Sequence, residues 1–290
     1  MIPLNPQARL MVPDGMDGPA ALRRTTHLGI GAHQDDLEFM AFHGILACYD
    51  SADRWFGGVT VTDGRSSSRA GPFKDWTDAQ IAAERIREQE AAAVIGQYAF
   101  MAQLGFDSAA VRAAGQSAVR AAGQSAVRDD LRHLLEMARP ETVYLHNLAD
   151  KHDTHVGCAL RSLEAIRQLP KADRPQRVYG CEVWRDLDWL VDNEKSTLPV
   201  SARPELARAL NEVFATQIAG GKRYDLAVLG RRAANATFGH AHASDQETAV
   251  QWAMDLTPLA LDDDLDPLAY ATGFIDRLKA DVAARLRRFL

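Results

Sequence analysis

A ten-residue stretch at residues 29–38, GIGAHQDDLE, constrains the fold more than any other part of the chain. It overlaps the short, mostly apolar segment 26–32, which predicts a β-strand. It leads into residues 37–49, where apolar side chains recur at near-helical spacing. His33, Asp35 and Asp36 therefore lie at the carboxyl end of a strand and the start of a helix. Ligands bind along that edge in open α/β sheets.

One imidazole and two adjacent carboxylates at this turn favour a divalent-metal site with a base beside it. Neighbouring residues in an extended turn point in different directions, so Asp35 and Asp36 cannot both face a metal equally well. We expect one of them to bind the metal and the other to face the attacking water. A catalytic zinc site takes three protein ligands and keeps one position open, so a further ligand must come from elsewhere.

The third ligand is available after a second strand. Residues 142–146 are mostly apolar and predict a strand, and a helical pattern follows over 156–168. His152 and His155 lie between the two, again at the carboxyl end of a strand. We expect His155 to complete the site, with His146 and His152 as its competitors.

These residues resemble the signatures of the PIG-L/LmbE-like N-acetylglucosaminyl deacetylases, A-H-P-D-D-x-E and H-P-D-H. The first signature corresponds to residues 32–38, with Gln34 in place of the proline. The second corresponds to residues 152–155, where Asp153 and Thr154 replace the proline and the aspartate. The match of the first signature is the more specific of the two.

Three further segments extend the resemblance over roughly residues 25–250. Residues 59–64 resemble the T-x-G segment of the family, and residues 87–96 resemble its R-x-x-E-A-x-x-A-x-x-L-G helix. Residues 220–225 resemble a segment in the branch that acts on N-acetylglucosaminyl malate.

The resemblance implies a zinc-dependent N-deacetylase that removes an acetyl group from an N-acetylglucosaminyl-type substrate and releases acetate and a free amine. It implies that His33, Asp36 and His155 hold the metal and that Asp35 acts as the base. His152 would be a second stabiliser of the oxyanion. Two imidazoles and one carboxylate also suit Fe²⁺ or another divalent metal. The partner is then a small N-acetylated amino sugar, with an aglycone that the motifs leave open.

Two arginines are candidates for contact with the sugar. Arg87 lies three residues before Glu90 on a predicted helix over 77–96, so a sugar contact and an intrahelical ion pair are both open. Arg65 lies in the loop 63–76, which is rich in Gly, Ser and Arg and leaves the same sheet edge. That loop could rim a pocket, act as a lid or simply connect two elements.

Three other functions remain open for comparison. The chain could hydrolyse a different amide bond with a metal, or it could keep the fold as a non-catalytic sugar-binding protein. The glycines at 29 and 31 also invite a dinucleotide site. However, G-x-G-x-x-G would need glycine where Gln34 stands, and Asp35 and Asp36 would repel a diphosphate.

The alternation of predicted strands and helices indicates an α/β domain, and the resemblance implies a Rossmann-like three-layer sandwich with a mostly parallel sheet. We expect an N-terminal arm over residues 1–24 and a single domain over 25–290. Further elements are predicted at the following positions: strands at 55–62, 98–104 and 176–184, and helices at 108–139, 204–218 and 268–290. An eight-residue segment is repeated without change over 113–128, which we interpret as the lengthening of an exposed helix or loop.

Composition limits the other classes of protein. A net charge of −6 argues against a general nucleic-acid binder. The 3 cysteines are far apart and odd in number, which indicates buried thiols in a reducing compartment. No apolar run approaches the ~20 residues that a membrane span needs. We therefore expect a cytoplasmic protein that binds neither nucleic acid nor membrane. The resemblance implies a homo-oligomer.

Overall fold

The computed structural model describes residues 4–113, 118–239 and 241–290, with the backbone alone for residues 118–124. Its strands are β1 (Arg9–Met11), β2 (His27–Gly31), β3 (Phe56–Thr62), β4 (Phe100–Phe106), β5 (Thr142–His146), β6 (Arg177–Cys181), β7 (Lys195–Pro199) and β8 (Val250–Asp255). Its helices are α1 (Gly18–Arg23), α2 (Asp36–Met40), α3 (Phe42–Cys48), α4 (Asp78–Ile95), α5 (Ser108–Arg112), α6 (Ala118–Ala138), α7 (Asp153–Arg167), α8 (Pro204–Glu212), α9 (Ala215–Ile218), α10 (Tyr224–Phe238), α11 (Thr257–Leu261) and α12 (Pro267–Leu286).

The eight strands form one sheet in the order β1-β4-β3-β2-β5-β6-β8-β7. The five strands from β4 to β6 are parallel, while β1, β8 and β7 add antiparallel pairings at the two edges. β2 pairs with β3 on one side and with β5 on the other, so the direction of winding reverses between β2 and β5. Such a switch point opens a crevice at the carboxyl ends of the strands.

Helices cover both faces of the sheet. Successive strand residues point to opposite sides, so each face presents apolar side chains that need to be covered. Val143 and Leu145 of β5 belong to the core under α6 and α7, whereas Tyr144 belongs to the core under α2, α3 and α8. The fold is therefore the predicted α/β three-layer sandwich with a mostly parallel sheet. None of the helices in the described part of the chain is long and apolar enough to cross a lipid bilayer.

The glycines of β2 allow α2 to pack directly on the strand. A Cβ atom on Gly31 would lie 2.9 Å from Cβ of Asp36, and one on Gly29 would lie 2.9 Å from Cδ2 of Leu37. Neither position has room for a larger residue. The close packing places Asp36, the first residue of α2, at the crevice.

The prediction of one helix over residues 37–49 is wrong, because the helix breaks at Ala41. In a continuous helix the His43 N–H would bond the Phe39 carbonyl. The Gln251 side chain instead bridges this pair: its Oε1 accepts from His43 N at 2.9 Å and its Nε2 donates to Phe39 O at 2.7 Å. Arg232 also donates to Phe39 O, at 3.1 Å. Residues from distant parts of the chain thus end α2.

Other boundaries differ from the predictions. Residues 204–218 form the two helices α8 and α9, and the strand predicted at 176–184 is confined to β6. The arm over 1–24 contributes β1, which pairs with β4, and α1. The predicted helix 108–139 appears as α5 and α6, with residues 114–117 of the first repeat copy outside the described residues; the second copy lies within α6.

Candidate metal centre and active site

The three predicted ligands converge at the switch point between β2 and β5. His33 Nδ1 lies 3.2 Å from Asp36 Oδ2 and 3.2 Å from His155 Nε2, and His155 Nε2 lies 3.4 Å from Asp36 Oδ1. Ligand atoms about 2.0–2.2 Å from a tetrahedral zinc ion are about 3.3–3.6 Å from one another. The three side chains are therefore close enough to share one divalent cation, with His33 and His155 nearest to different oxygens of the Asp36 carboxylate.

Two other histidines border this cluster. Nε2 of His146 accepts a hydrogen bond from the backbone N–H of Ala32 at 3.0 Å, so its lone pair is already engaged. The His152 ring lies 5.0 Å from the His33 ring, and the two could hold a metal together with His155. A second possible group joins Asp36, His146 and His155. His155 belongs to both groups.

Burial and neighbouring rings shift the pKa values of His155 and Asp36. It lowers the pKa of His155 to about 3, so the ring is neutral near pH 7 and its lone pair is free for a metal. Burial alone would raise the pKa of the Asp36 carboxyl, but the His155 and His146 rings against it hold that pKa well below its usual range. A neutral imidazole beside an ionised carboxylate is the form that binds a divalent cation.

Asp150 lies on the far side of the His155 ring. Its Oδ1 is 3.6 Å from His155 Nδ1 and accepts a hydrogen bond from the backbone N–H of His152 at 2.9 Å. Its Oδ2 accepts from Trp184 N at 3.1 Å. A carboxylate behind a metal-binding histidine fixes the orientation and tautomer of the ring. Asp150 therefore places a carboxylate beside this ring, at an ion-pair distance and without a hydrogen bond to it, although Thr154 stands at the aspartate position of the second signature.

Asp35 lies beside the cluster in an unusual backbone conformation, with φ at 95°. Its backbone N–H donates to Gln89 Oε1 at 3.1 Å, and Arg85 Nη2 lies 3.4 Å from its Oδ2. Burial raises the pKa of Asp35 well above its usual value, while the charge of Arg85 acts against that shift. The carboxyl is therefore suited to accept a proton.

Gln34 secures the turn at the place where the signature has proline. Its buried Nε2 donates to Thr62 O at 3.2 Å and to Gln103 Oε1 at 3.1 Å. The backbone carbonyl of Gln34 accepts a hydrogen bond from Arg85. The side chain thus fastens the turn to the end of β3 and to the middle of β4.

The structure brings neither predicted sugar-contacting arginine to the pocket. The Arg87 side chain is 70% exposed and pairs with Glu84, and Arg65 pairs with Asp63 outside the pocket lining. Arg85, two residues earlier, lines the pocket instead. Arg85 and Glu88 have the same R-x-x-E spacing as Arg87 and Glu90, but only the Arg85 register also places Ala92 and Gly96 at the second alanine and the glycine of the full signature.

Helical periodicity could have distinguished these registers. The buried face of α4 includes Ile81, Arg85, Glu88 and Ala92, at spacings of three and four residues. The apolar pair Ile81 and Ala92 marks this face, and Arg87 does not lie on it.

A cavity of about 290 Å³ opens above the cluster. Its floor includes His33, Asp35, Asp36, His152 and His155. Residues 66–68 of the loop after β3 line the cavity. Of the three roles considered for this loop, the structure therefore supports that of a pocket rim. Trp184 and Tyr224 form an aromatic wall of the cavity, with Lys222 Nζ 4.9 Å from the centre of a Trp184 ring. A second cavity of about 220 Å³ is also lined by these two aromatic residues.

Comparisons with known proteins agree with this architecture. Among solved structures, the hydratase GalB from Pseudomonas putida KT2440, which acts on 4-carboxy-2-hydroxymuconate, is 17% identical with a TM-score of 0.57, over 80% of this chain and 96% of its own. N,N'-diacetylchitobiose deacetylase from Pyrococcus horikoshii is 15% identical with a TM-score of 0.54, over 79% and 83%. The zinc-inhibited form of teicoplanin deacetylase Orf2 is 17% identical with a TM-score of 0.54, over 83% and 100%. At these identities the similarity shows a shared fold.

Sequence comparison gives one family match. No curated protein matches the chain. Residues 28–166, which include both signatures, match the family described as PIG-L: GlcNAc-PI de-N-acetylase. Over these residues, just under half of the chain, the protein is similar to the PIG-L family.

Proposed function

We propose that this protein is a metal-dependent N-deacetylase that hydrolyses the acetamide of an N-acetylated amino sugar to acetate and a free amine. The observation that carries the proposal is the convergence of His33 Nδ1, the Asp36 carboxylate and His155 Nε2 within 3.2–3.4 Å at the floor of a pocket. The match of residues 28–166 to the PIG-L family supports the same reaction.

His33, Asp36 and His155 would hold the cation. A divalent cation bound there would polarise the acetamide carbonyl and favour deprotonation of the attacking water. Asp35 would accept the proton of that water, because its carboxyl lines the pocket beside the cluster and burial raises its pKa.

His152 is suited to the other side of the scissile bond. Its ring lines the pocket, meets the His33 ring edge to face at 5.0 Å and lies 6.4 Å from the Trp184 ring. From this position it would stabilise the developing oxyanion or donate a proton to the leaving amine. Burial and the neighbouring His33 lower the pKa of His152, so a proton that it holds is readily given up.

The aromatic wall supports a sugar substrate. Trp184 and Tyr224 meet at a near-perpendicular angle of 87°, and both line the pocket. Aromatic rings at a binding site offer an apolar face together with a polar edge, which suits a pyranose ring. The second cavity, which shares this wall with the first, would give the aglycone space next to the sugar.

The metal and the reaction are tested together. The protein is purified, its metal content is measured, and the metal-free form is reloaded separately with Zn²⁺, Fe²⁺ and Mn²⁺. Acetate and primary amine are then measured with N-acetylglucosamine, N,N'-diacetylchitobiose and N-acetylglucosaminyl conjugates. We expect metal-dependent release of both products in equal amounts. Since zinc inhibits one deacetylase of this fold, the titration with zinc extends above one equivalent.

The same experiment separates the alternatives. A metal-dependent hydrolase of another amide would release a product only from simple or peptide amides. A non-catalytic sugar-binding protein would bind the sugars without turnover. Because a hydratase shares the fold, hydration of 4-carboxy-2-hydroxymuconate is measured alongside. Release of no acetate from any N-acetylated sugar by the metal-loaded protein would refute the proposal.

A further inference from the structure

Exposed apolar side chains are concentrated at the C-terminal end of the chain. Of the twelve large hydrophobic residues that are exposed in the described residues, seven lie between Leu261 and Leu290. Four of them are spaced seven residues apart: Leu268 and Ile275, which are 71% and 51% exposed, and Val282 and Phe289, which are 46% and 87% exposed. The first three lie on α12 and the fourth follows directly after it.

This row of side chains is distinct from the face that α12 packs on the protein. Phe274 is buried and contacts Tyr270 edge to face at 5.3 Å, and both rings pack against the core of the domain. Adjacent helical residues are about 100° apart around the axis, so Ile275 projects away from Phe274. α12 therefore carries two apolar faces, of which the domain covers one.

A spacing of seven residues keeps side chains along one seam of a helix. Side chains with this period supply one of the two apolar positions in each heptad through which helices pack together. Leu286 supplies the other position once, since it lies four residues after Val282 and is 56% exposed. A row of large exposed apolar side chains on one helix favours a contact with another molecule.

The charges at the two ends of α12 favour a second copy of the same helix, in antiparallel orientation, as the partner. Asp262, Asp264 and Asp266 precede α12, and Arg287 and Arg288 lie at its end, while Asp263 and Arg285 already pair with Arg174 and Asp281. Two copies of α12 in antiparallel orientation would bring the acidic start of each helix next to the basic end of the other. A parallel pair would bring like charges together, and the helix dipoles also favour the antiparallel pair.

We propose that α12 is the interface of a homodimer, in which a second copy of this chain packs its own α12 antiparallel across the exposed seam. The seam is self-complementary: Ile275 would pack against the partner's Val282, and Leu268 against the partner's Phe289. Such an arrangement has a two-fold axis, so the exposed seam of each chain is covered by the seam of the other. The inference is independent of the proposed catalytic function.

The oligomeric state tests the surface. We expect light scattering after gel filtration to give twice the chain mass of 31.8 kDa for the unaltered protein. The double variant Ile275→Lys with Val282→Lys should give half that mass, with an unchanged circular dichroism spectrum. Val94→Lys is the matched control, because Val94 is 56% exposed on α4 and should leave the dimer intact. A monomeric unaltered protein, or a dimer that survives the double substitution, would overturn the proposal.

Cysteine cross-linking tests the orientation. The three native cysteines are buried, so new surface thiols react selectively. A mixture of Ile275→Cys and Val282→Cys chains should form a disulfide-linked heterodimer under mild oxidation, while each variant alone should not. Residues seven apart on a helix are about 10.5 Å apart along its axis, which is beyond the reach of a disulfide. Efficient cross-linking of each variant with itself would indicate a parallel pair and contradict the proposed arrangement.

Discussion

The side-chain oxygen of Gln89 accepts a hydrogen bond from the backbone N–H of Asp35, with 3.1 Å between Oε1 and N. Gln89 in turn donates to Glu38 Oε1 at 2.8 Å, and the Tyr98 hydroxyl donates to the same atom at 2.6 Å. All three side chains are buried. A residue other than glycine with φ at 95° is strained by roughly 1–3 kcal/mol, so this network holds Asp35 in a conformation that it would otherwise leave.

Loss of the Gln89 acceptor should misplace the proposed base. We expect Gln89→Met to lower kcat by roughly 10- to 100-fold, because small displacements of catalytic groups have effects of that size. Metal content and KM should change little, since neither ligand nor pocket wall is altered. Steady-state kinetics and metal analysis measure these quantities. Gln246→Met, at an exposed position, serves as the control. An unchanged kcat in the Gln89 variant would show that the network is not needed for catalysis.

Removal of the Asp35 carboxylate should separate catalysis from metal binding. Asp35→Asn keeps the size of the side chain but removes the proton acceptor, so turnover should fall by roughly 10²- to 10⁴-fold. The metal should remain at the level of the unaltered protein. Asp153→Asn, which alters an exposed carboxylate within the second signature, should retain activity. Full activity in Asp35→Asn would reject Asp35 as the base.

The ligands should instead control the metal itself. His155→Ala and Asp36→Asn each remove one of three donors, so both variants should lose metal as well as turnover. Elemental analysis gives the metal content, and thermal unfolding with and without a chelator gives an independent measure. The chelator should lower the unfolding temperature of the unaltered protein and leave that of His155→Ala unchanged. The control is His133→Ala, since His133 lies in α6 away from the pocket lining. Metal bound at full stoichiometry in both ligand variants would disprove the assignment.

Arg85 and Arg87 should differ sharply although they are two residues apart. The Arg85 side chain is 4% exposed and contacts Asp35, Gln34 and Ser67, whereas Arg87 is 70% exposed. Arg85→Ala leaves a buried carboxylate without its partner, so the free energy of unfolding should fall by roughly 3 kcal/mol. Arg87→Ala should change it by no more than about 0.5 kcal/mol. Urea denaturation compares the two, and equal effects would contradict the burial of Arg85.

The candidate site could be predicted from the sequence because each half of it is local. His33, Asp35 and Asp36 lie within four consecutive positions after one strand, and His155 follows another. Parallel strands end at the same edge of a sheet, so the fold class alone brings the two segments to one side. The sequence also shows the glycines of β2, but it does not show that α2 packs directly against them.

The tertiary structure decided what local patterns leave ambiguous. The R-x-x-E spacing alone fits both Arg85 and Arg87, and packing turns Arg85 inward, on the helix face that Ile81 and Ala92 mark by their spacing. The helix after β2 shows unbroken apolar periodicity in sequence, yet it ends at Met40 because Gln251 takes both partners of the hydrogen bond that would continue it. Gln251 lies 212 residues from Phe39, so no window of sequence around the turn contains the group that shapes it.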